Sequence, residues 1–326
     1  MACGRTAHLP YLFDQFQLGE TPMPNLTRRQ TFTAAAALPL GLAGLAAHAE
    51  APMLGASSAS ISRIPLGDFE VTTLLAGSAM REEPQTIFGM NVSPEEFAAV
   101  SQANLISTTQ VRFFFNPTVV NTGSELILFD TGLNAPGIIG ALAAAGYTPD
   151  QIDIVVLTHM HGDHIGGLMT DGIPTFPNAR YVTGQVEFDH WAGAENDGFE
   201  TNVRPLADQM TFIDDEGSVT SGISGMNAFG HTPGHMIYRI ESNGAEIALF
   251  ADLANHPVWS LARPDWEVRF DSDKAMAAAS RRRVLDMLAT DRIASIGYHM
   301  PFPGMGYVAT DGDGFRWLPE SGQLRG

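Results

Sequence analysis

The chain has 326 residues, is 44% apolar, carries a formal net charge of -18 and contains one cysteine, Cys3, and one lysine, Lys274. That length suits one large or two small domains, and the apolar fraction supports a core without disulfides. So acidic a surface opposes association with nucleic acid and leaves a small neutral or cationic molecule as the natural partner.

The first segment reads as an address. Thr27-Arg28-Arg29-Gln30-Thr31-Phe32 is a twin-arginine pattern, followed by the small apolar run Ala34 to Ala47 and an A-x-A site at Ala47-His48-Ala49. Residues 1–49 are therefore expected to be a signal peptide, with Met23 as an alternative start and a periplasmic or secreted destination. The apolar run is short and rich in Ala and Gly, so no stable membrane insertion is expected after cleavage. Residues 50–66 read as a linker and 67–320 as one folded domain.

Within that domain, alternation predicts a strand from Phe69 to Leu75, and Glu95 to Ala103 is amphipathic. Strands are predicted at Val111 to Phe115, Thr118 to Asn121 and Leu126 to Phe129, and a short helix at Ile138 to Ala145. The apolar run Ile152 to Leu157 reads as a buried strand. Gly184 to Trp191 and Val203 to Met210 look helical. Strands return at Gly225 to Phe229, Met236 to Ile240 and Ile247 to Ala251. A helix capped by Ser272 or Asp273 runs to Ala289, followed by Ile293 to Ile296 and a hairpin from Tyr307 to Leu318. Strand groups interleaved with helices in both halves suit an α/β, four-layer αββα sandwich.

The most informative stretch is Thr158-His159-Met160-His161-Gly162-Asp163-His164, which directly follows a predicted strand. Imidazole nitrogens and a carboxylate at this density would repel or go unsatisfied without a cation, and they are the donors that zinc prefers. Gly162 and the pair Gly166-Gly167 supply the tight backbone such a loop needs. Further candidates stand where later strands give way to loops: His235 in Gly230-His231-Thr232-Pro233-Gly234-His235, Asp252 after Glu246 to Ala251, and His299 after Ile293 to Tyr298.

HxHxDH, TPGH, a strand-end Asp and a late His, in that order, resemble the metallo-β-lactamase fold hydrolases over about Gly67 to Leu318. The resemblance implies a first metal on His159, His161 and His235, and a second on Asp163, His164 and His299, with Asp252 bridging. It implies two divalent ions per chain, zinc by default, with cobalt, manganese or iron as alternatives. Asp130, in Leu128-Phe129-Asp130-Thr131-Gly132, matches the element whose Asp orients a ligand His. His231 is read as structural, and His256, His190, His48 and His8 are assigned no role.

Stretches such as His164-Ile165-Gly166-Gly167-Leu168-Met169, Phe270-Asp271-Ser272-Asp273 and His299-Met300-Pro301-Phe302-Pro303-Gly304 look like the methyl parathion hydrolase subgroup, close to secreted acyl-homoserine lactonases. That likeness implies a metal-bridging hydroxide attacking a phosphotriester or a lactone or ester carbonyl, a homodimer, and a pocket containing Trp191 and Phe199. A lactonase as the main activity, a β-lactamase or thioesterase of the same fold, and a metal-binding protein without turnover are the alternatives. His161 stands where a redox di-iron branch carries Glu, which argues against oxygen chemistry. True β-lactamases lack a carboxylate at the place of Asp252, which argues against antibiotic hydrolysis as the main role.

Overall fold

The computed structural model describes residues 59–321. The signal segment expected at 1–49, with Met23 and Cys3, lies outside the described residues, as does most of the linker. Of that linker, Ile61–Leu66 is corrected: it forms a strand paired antiparallel with Phe69–Leu74 through Ile61↔Leu74 to Leu66↔Phe69. Ile64 and Leu66 are buried, so its apolar residues belong to the core.

The first part of the fold runs β1 (Ile61–Leu66), β2 (Phe69–Leu74), β3 (Gly77–Glu82), α1 (Pro94–Ala103), β4 (Gln110–Phe115), β5 (Thr118–Asn121), β6 (Leu126–Phe129) and α2 (Ala135–Ala145). It continues with β7 (Ile154–Val156), α3 (Gly162–Ile165), β8 (Met169–Thr170), β9 (Ile173–Pro174), β10 (Arg180–Gly184), α4 (Gln185–Ala192), α5 (Asp197–Asn202) and β11 (Met210–Ile213). The second part runs β12 (Ser218–Thr220), β13 (Ile223–Asn227), β14 (Met236–Ser242), β15 (Ala245–Ala251), a π-helical turn Pro257–Ala262, α6 (Lys274–Asp291), β16 (Ala294–Gly297), β17 (Met305–Asp311) and β18 (Gly314–Pro319).

Two seven-stranded sheets result, ordered β1-β2-β5-β6-β7-β10-β11 and β12-β13-β14-β15-β16-β17-β18. Strand alternation divides the core between layers. Ile127, Phe129, Ile154 and Val156 meet Tyr238, Ile240, Ile247 and Leu249 between the sheets. The intervening Leu128 and Val155 face outward onto Ile138 and Leu142 of α2. On the opposite outer face, Phe250 and Ala248 pack with Val284, Leu285 and Leu288 of α6. This is the αββα sandwich, with helices covering both sheets. No helix among the described residues is long and apolar enough to cross a membrane.

The cap of α6 is Asp273, whose Oδ1 accepts the Met276 N–H at 2.9 Å. The helix predicted over Val203 to Met210 is instead a 3₁₀ turn, Arg204–Gln209, that runs straight into β11. Pro205 at its start and the short register to β11 leave no room for a longer helix. β10 and β11 were not predicted. They continue the parallel stack through Arg180↔Ile154 and Tyr181↔Met210.

Candidate metal centre

The chemistry-bearing residues collect at one end of the sandwich. Thr158 to His164 follow β7, His231 lies between β13 and β14, Asp252 follows β15 and His299 follows β16. The loop after β7 needs its glycines unequally. A Cβ on Gly166 or Gly167 would come within 2.2 Å of the Leu133 or Thr131 carbonyl oxygen, whereas Gly162 has open space.

Three imidazoles face one another. His159 Nε2 lies 3.1 Å from His161 Nδ1, which lies 3.0 Å from His231 Nε2. A second group joins Asp163, His164 and His299: His299 Nε2 stands 3.3 Å and His164 Nε2 3.7 Å from Asp163 Oδ2. Asp252 touches both groups. Its Oδ2 is 3.3 Å from His231 Nε2 and 3.1 Å from His299 Nε2, and its Oδ1 is 3.2 Å from His164 Nε2. The structure thus brings His159, His161, Asp163, His164 and His299 together, with Asp252 between the two groups.

His235 is not brought to the first cluster, and His231 stands in the place expected of it. The His235 ring is fully buried, its Nδ1–H donates to the Ala228 carbonyl at 3.1 Å, and its Nε2 accepts the Asp252 N–H at 3.2 Å. Both nitrogens are spent on backbone, so no lone pair is free for a cation. Burial, with His231 beside it, pushes this ring down to about 3, in keeping with a neutral donor–acceptor bridge. His231 instead turns Nε2 inward while its Nδ1 meets Asp271 Oδ1 at 3.0 Å. Two histidines four residues apart in one Gly/Pro-rich turn are indistinguishable by residue type. The Phe270-Asp271 partner was the available signal.

Asp130 lies against Thr158 and His164, where an orienting residue is expected. Its Oδ1 accepts the Thr158 N–H, and its Oδ2 accepts the Thr158 hydroxyl and the His164 Nδ1–H, each at 2.9 Å. This fixes the His164 tautomer and aims Nε2 at the site. His299 is oriented likewise, its Nδ1–H donating to the Phe114 carbonyl at 2.8 Å.

Sequence reasoning also missed Glu187, a fully buried residue on α4. Its Oε1 accepts the Met160 N–H at 2.9 Å and the Trp191 Nε1–H at 2.6 Å. Its Oε2 accepts the Thr232 hydroxyl at 2.7 Å and the Gly234 N–H at 2.9 Å. One carboxylate thus ties both ligand loops together. Burial raises its pKa while these four donors lower it, and burial dominates. A Cβ on Gly234 would lie 2.1 Å from the Glu187 nitrogen, so only glycine lets the loop approach. Asn255 was missed too; its Nδ2–H donates to Asp252 Oδ2 at 2.8 Å.

The site's charge balance fits a divalent metal centre. Burial, then the neighbouring His164, holds His159 well below the usual imidazole range, and burial, then His231, brings His161 to about 3. These rings are therefore neutral and their lone pairs available. Burial opposes a charge on His299 and on His231, yet Asp252 with Asp163 lifts the first to about 10, and Asp252 with Asp271 lifts the second to about 9. Such carboxylates call for positive charge, which protons supply in the absence of a cation. His164 Nε2 and Asp252 Oδ1 are buried without a hydrogen-bond partner although they face each other, as lone pairs shared by a cation would. Nitrogen and carboxylate donors in this ratio suit a borderline divalent ion.

Of the two pocket candidates, Trp191 stands edge-on to His161 at 5.9 Å, beside the centre. Phe199 does not line the pocket: it is fully buried in the layer behind the first sheet, against Phe188 at 5.5 Å. The amphipathic α5 puts its one large apolar side chain into the core. Other rings border the centre instead, Phe113 and Phe115 meeting His299 edge-on at 5.3 and 5.6 Å.

The family model of the metallo-beta-lactamase superfamily matches residues 113–294. The chain belongs to the metallo-beta-lactamase superfamily and is a metallo-hydrolase. Superfamily relatives share both architecture and parts of the sequence. The solved dizinc quorum-quenching lactonase AidC is 27% identical, with a TM-score of 0.74, covering 80% of this chain and 98% of that one. The hydrolase AbOPH shares the fold, with a TM-score of 0.75 at 24% identity over 82% of this chain and 99% of that one. An N-acyl homoserine lactonase from a Bacillus species is 25% identical over 150 residues, 46% of this chain and 57% of that protein. The matched stretches span from 22% to 57% of the length of the curated relatives.

Proposed function

We propose that this metallo-hydrolase opens lactones of the N-acyl homoserine type, with two zinc ions held by the paired clusters. The observation that carries this reading is Asp252 reaching both clusters at 3.1–3.3 Å, in a chain that aligns over 80% of its length with a dizinc lactonase. The rings of His159, His161 and His231 would hold one ion, Asp163, His164 and His299 the other, and Asp252 both. Bound there, two divalent ions supply a nucleophile from water at neutral pH and polarise the scissile oxygen. The protein's own residues do the positioning. Asp130 and the Phe114 carbonyl fix the two rings of the second cluster, and Asp271 fixes His231. Phe113 and Phe115 exclude water from one side of His299.

A second reading, phosphotriester hydrolysis, is favoured by the same aromatic border, with Trp191 against His161 and Phe113 against His299. With Phe199 in the core, the aromatic wall around the first cluster is thinner than that reading asks, and the lactone is preferred. The test is kcat/KM of the zinc-loaded residues 50–326 for a long-chain N-acyl homoserine lactone and for methyl parathion. A higher value for the lactone supports the proposal; a higher value for the triester replaces it with the second reading. Export by the twin-arginine leader is proposed with it and is checked by locating the protein after fractionation of the producing cell.

A further inference from the structure

Beside His299 lies a cavity of about 160 Å³, walled by Ile106, Val111, Pro257 and Trp259, with His256 on its lining. Sequence reading gave His256 no role. In the structure it caps the π-helical turn, its Nδ1 accepting the N–H groups of Val258 and Trp259, each at 3.1 Å. An Nδ1 that accepts carries no proton, so the neutral ring bears its proton on Nε2. The ring lies flat on Trp259 at 4.1 Å with Phe88 at 5.6 Å, so neither face can turn. Its Nε2–H has no acceptor among the described residues. Burial pushes this imidazole down to about 3, so it remains an uncharged donor across the neutral range.

A neutral N–H donor held beside Ile106, Val111 and Trp259, in a lining that also includes Ser107, Gln110 and Arg112, and next to His299, matches an amide carbonyl better than a charged group. An anion would call for positive charge close by, and the cation on this lining, Arg112, is exposed, so solvent screens its charge. We propose that this cavity holds the non-reacting acyl arm of the substrate, and that His256 Nε2–H donates to the carbonyl oxygen of the arm's amide. The inference rests on the lactonase reading. In an N-acyl homoserine lactone the amide is attached to the carbon next to the scissile carbonyl, so a lactone held at the metal ions places its amide near His299 and this cavity.

The experiment compares metal-loaded wild type, His256→Phe and His256→Gln on an N-acyl homoserine lactone and on unsubstituted γ-butyrolactone. Loss of one neutral hydrogen bond is worth about a factor of ten. In His256→Phe the ratio of kcat/KM for the acylated over the plain lactone falls about tenfold, and the ring-opened acyl homoserine binds about tenfold more weakly by calorimetry. His256→Gln, whose amide can both cap the turn and donate, recovers part of each. Metal content and unfolding midpoint are measured on all three proteins. An unchanged ratio in both variants overturns the assignment and leaves His256 a helix cap. If wild type opens neither lactone, the parent reading has failed. The subsite is then judged on the calorimetry alone, where absent binding, or equal binding by wild type and variants, overturns it.

Discussion

The loop after β7 and the loop between β13 and β14 both carry closely spaced histidines in glycine-rich backbone, yet they use them differently. In the first, His159, His161 and His164 all present a free nitrogen to the centre. In the second, His231 points inward and His235 is consumed by the Ala228 carbonyl and the Asp252 N–H. Three of the inward-facing rings are anchored through one nitrogen alone, which leaves the other to face the centre. Asp130 anchors His164, Asp271 anchors His231, and the Phe114 carbonyl anchors His299. Anchored at both ends, His235 becomes a strut that positions the Asp252 backbone.

The most drastic way to break this contrast is to remove the ions. A chelator should abolish turnover and lower the unfolding free energy by about 4 kcal/mol for a site previously filled at a thousand times its dissociation constant. Hydrogen exchange should then rise in both loops. A response confined to Thr158–His164 would mean that His231 binds no ion. Next in size is the pair His231→Ala and His235→Ala. The first should lose one ion per chain and at least about 100-fold in kcat/KM. The second should keep both ions and lose mainly stability. Elemental analysis decides, and the reverse pattern would restore His235 as the ligand.

Glu187 links the two loops, so Glu187→Gln should weaken both at once. Metal affinity is expected to fall about 10- to 100-fold, with the loss read in a competition titration against a chromophoric chelator. Unchanged affinity with a lowered melting point would make Glu187 a packing element. The smallest effect lies outside both loops. His256 is held near 3 in the fold against about 6.5 unfolded, so the unfolded chain takes up a proton that the folded one refuses as pH falls below 6.5. Its contribution is intact above that value and declines by at most about 1.4 kcal/mol per pH unit down to about 3. The stability gap between wild type and His256→Gln, measured in denaturant at pH 7.5 and 5.5, should shift against wild type at the lower pH. A constant gap would mean that His256 titrates in the fold as it does in solvent.

Much of this was legible in residue order. Ligand-dense runs at strand ends mark the centre, and unbroken apolar runs at Leu126–Phe129 and Ile154–Val156 mark strands with both faces covered. Other features depend on contacts between segments far apart in sequence. β1 reads as linker because the core that buries Ile64 and Leu66 is completed by the second sheet, from Tyr238 to Leu249. Phe199 is placed in the pocket by resemblance alone, and helical spacing does not say that its face is the buried one. His231 and His235 differ only in what their second nitrogens meet, and Asp271 lies beyond two intervening strands.

Trp191 belongs to two structures at once. Its ring edges onto His161 and its indole N–H is one of four donors on Glu187. A residue so placed cannot be exchanged freely for a new fit to substrate, since each replacement short of a donor loosens the tether between the ligand loops. Variation in substrate scope is therefore steered to the cavity beside His299, around Ile106, whose side chain does not touch the tether between the ligand loops.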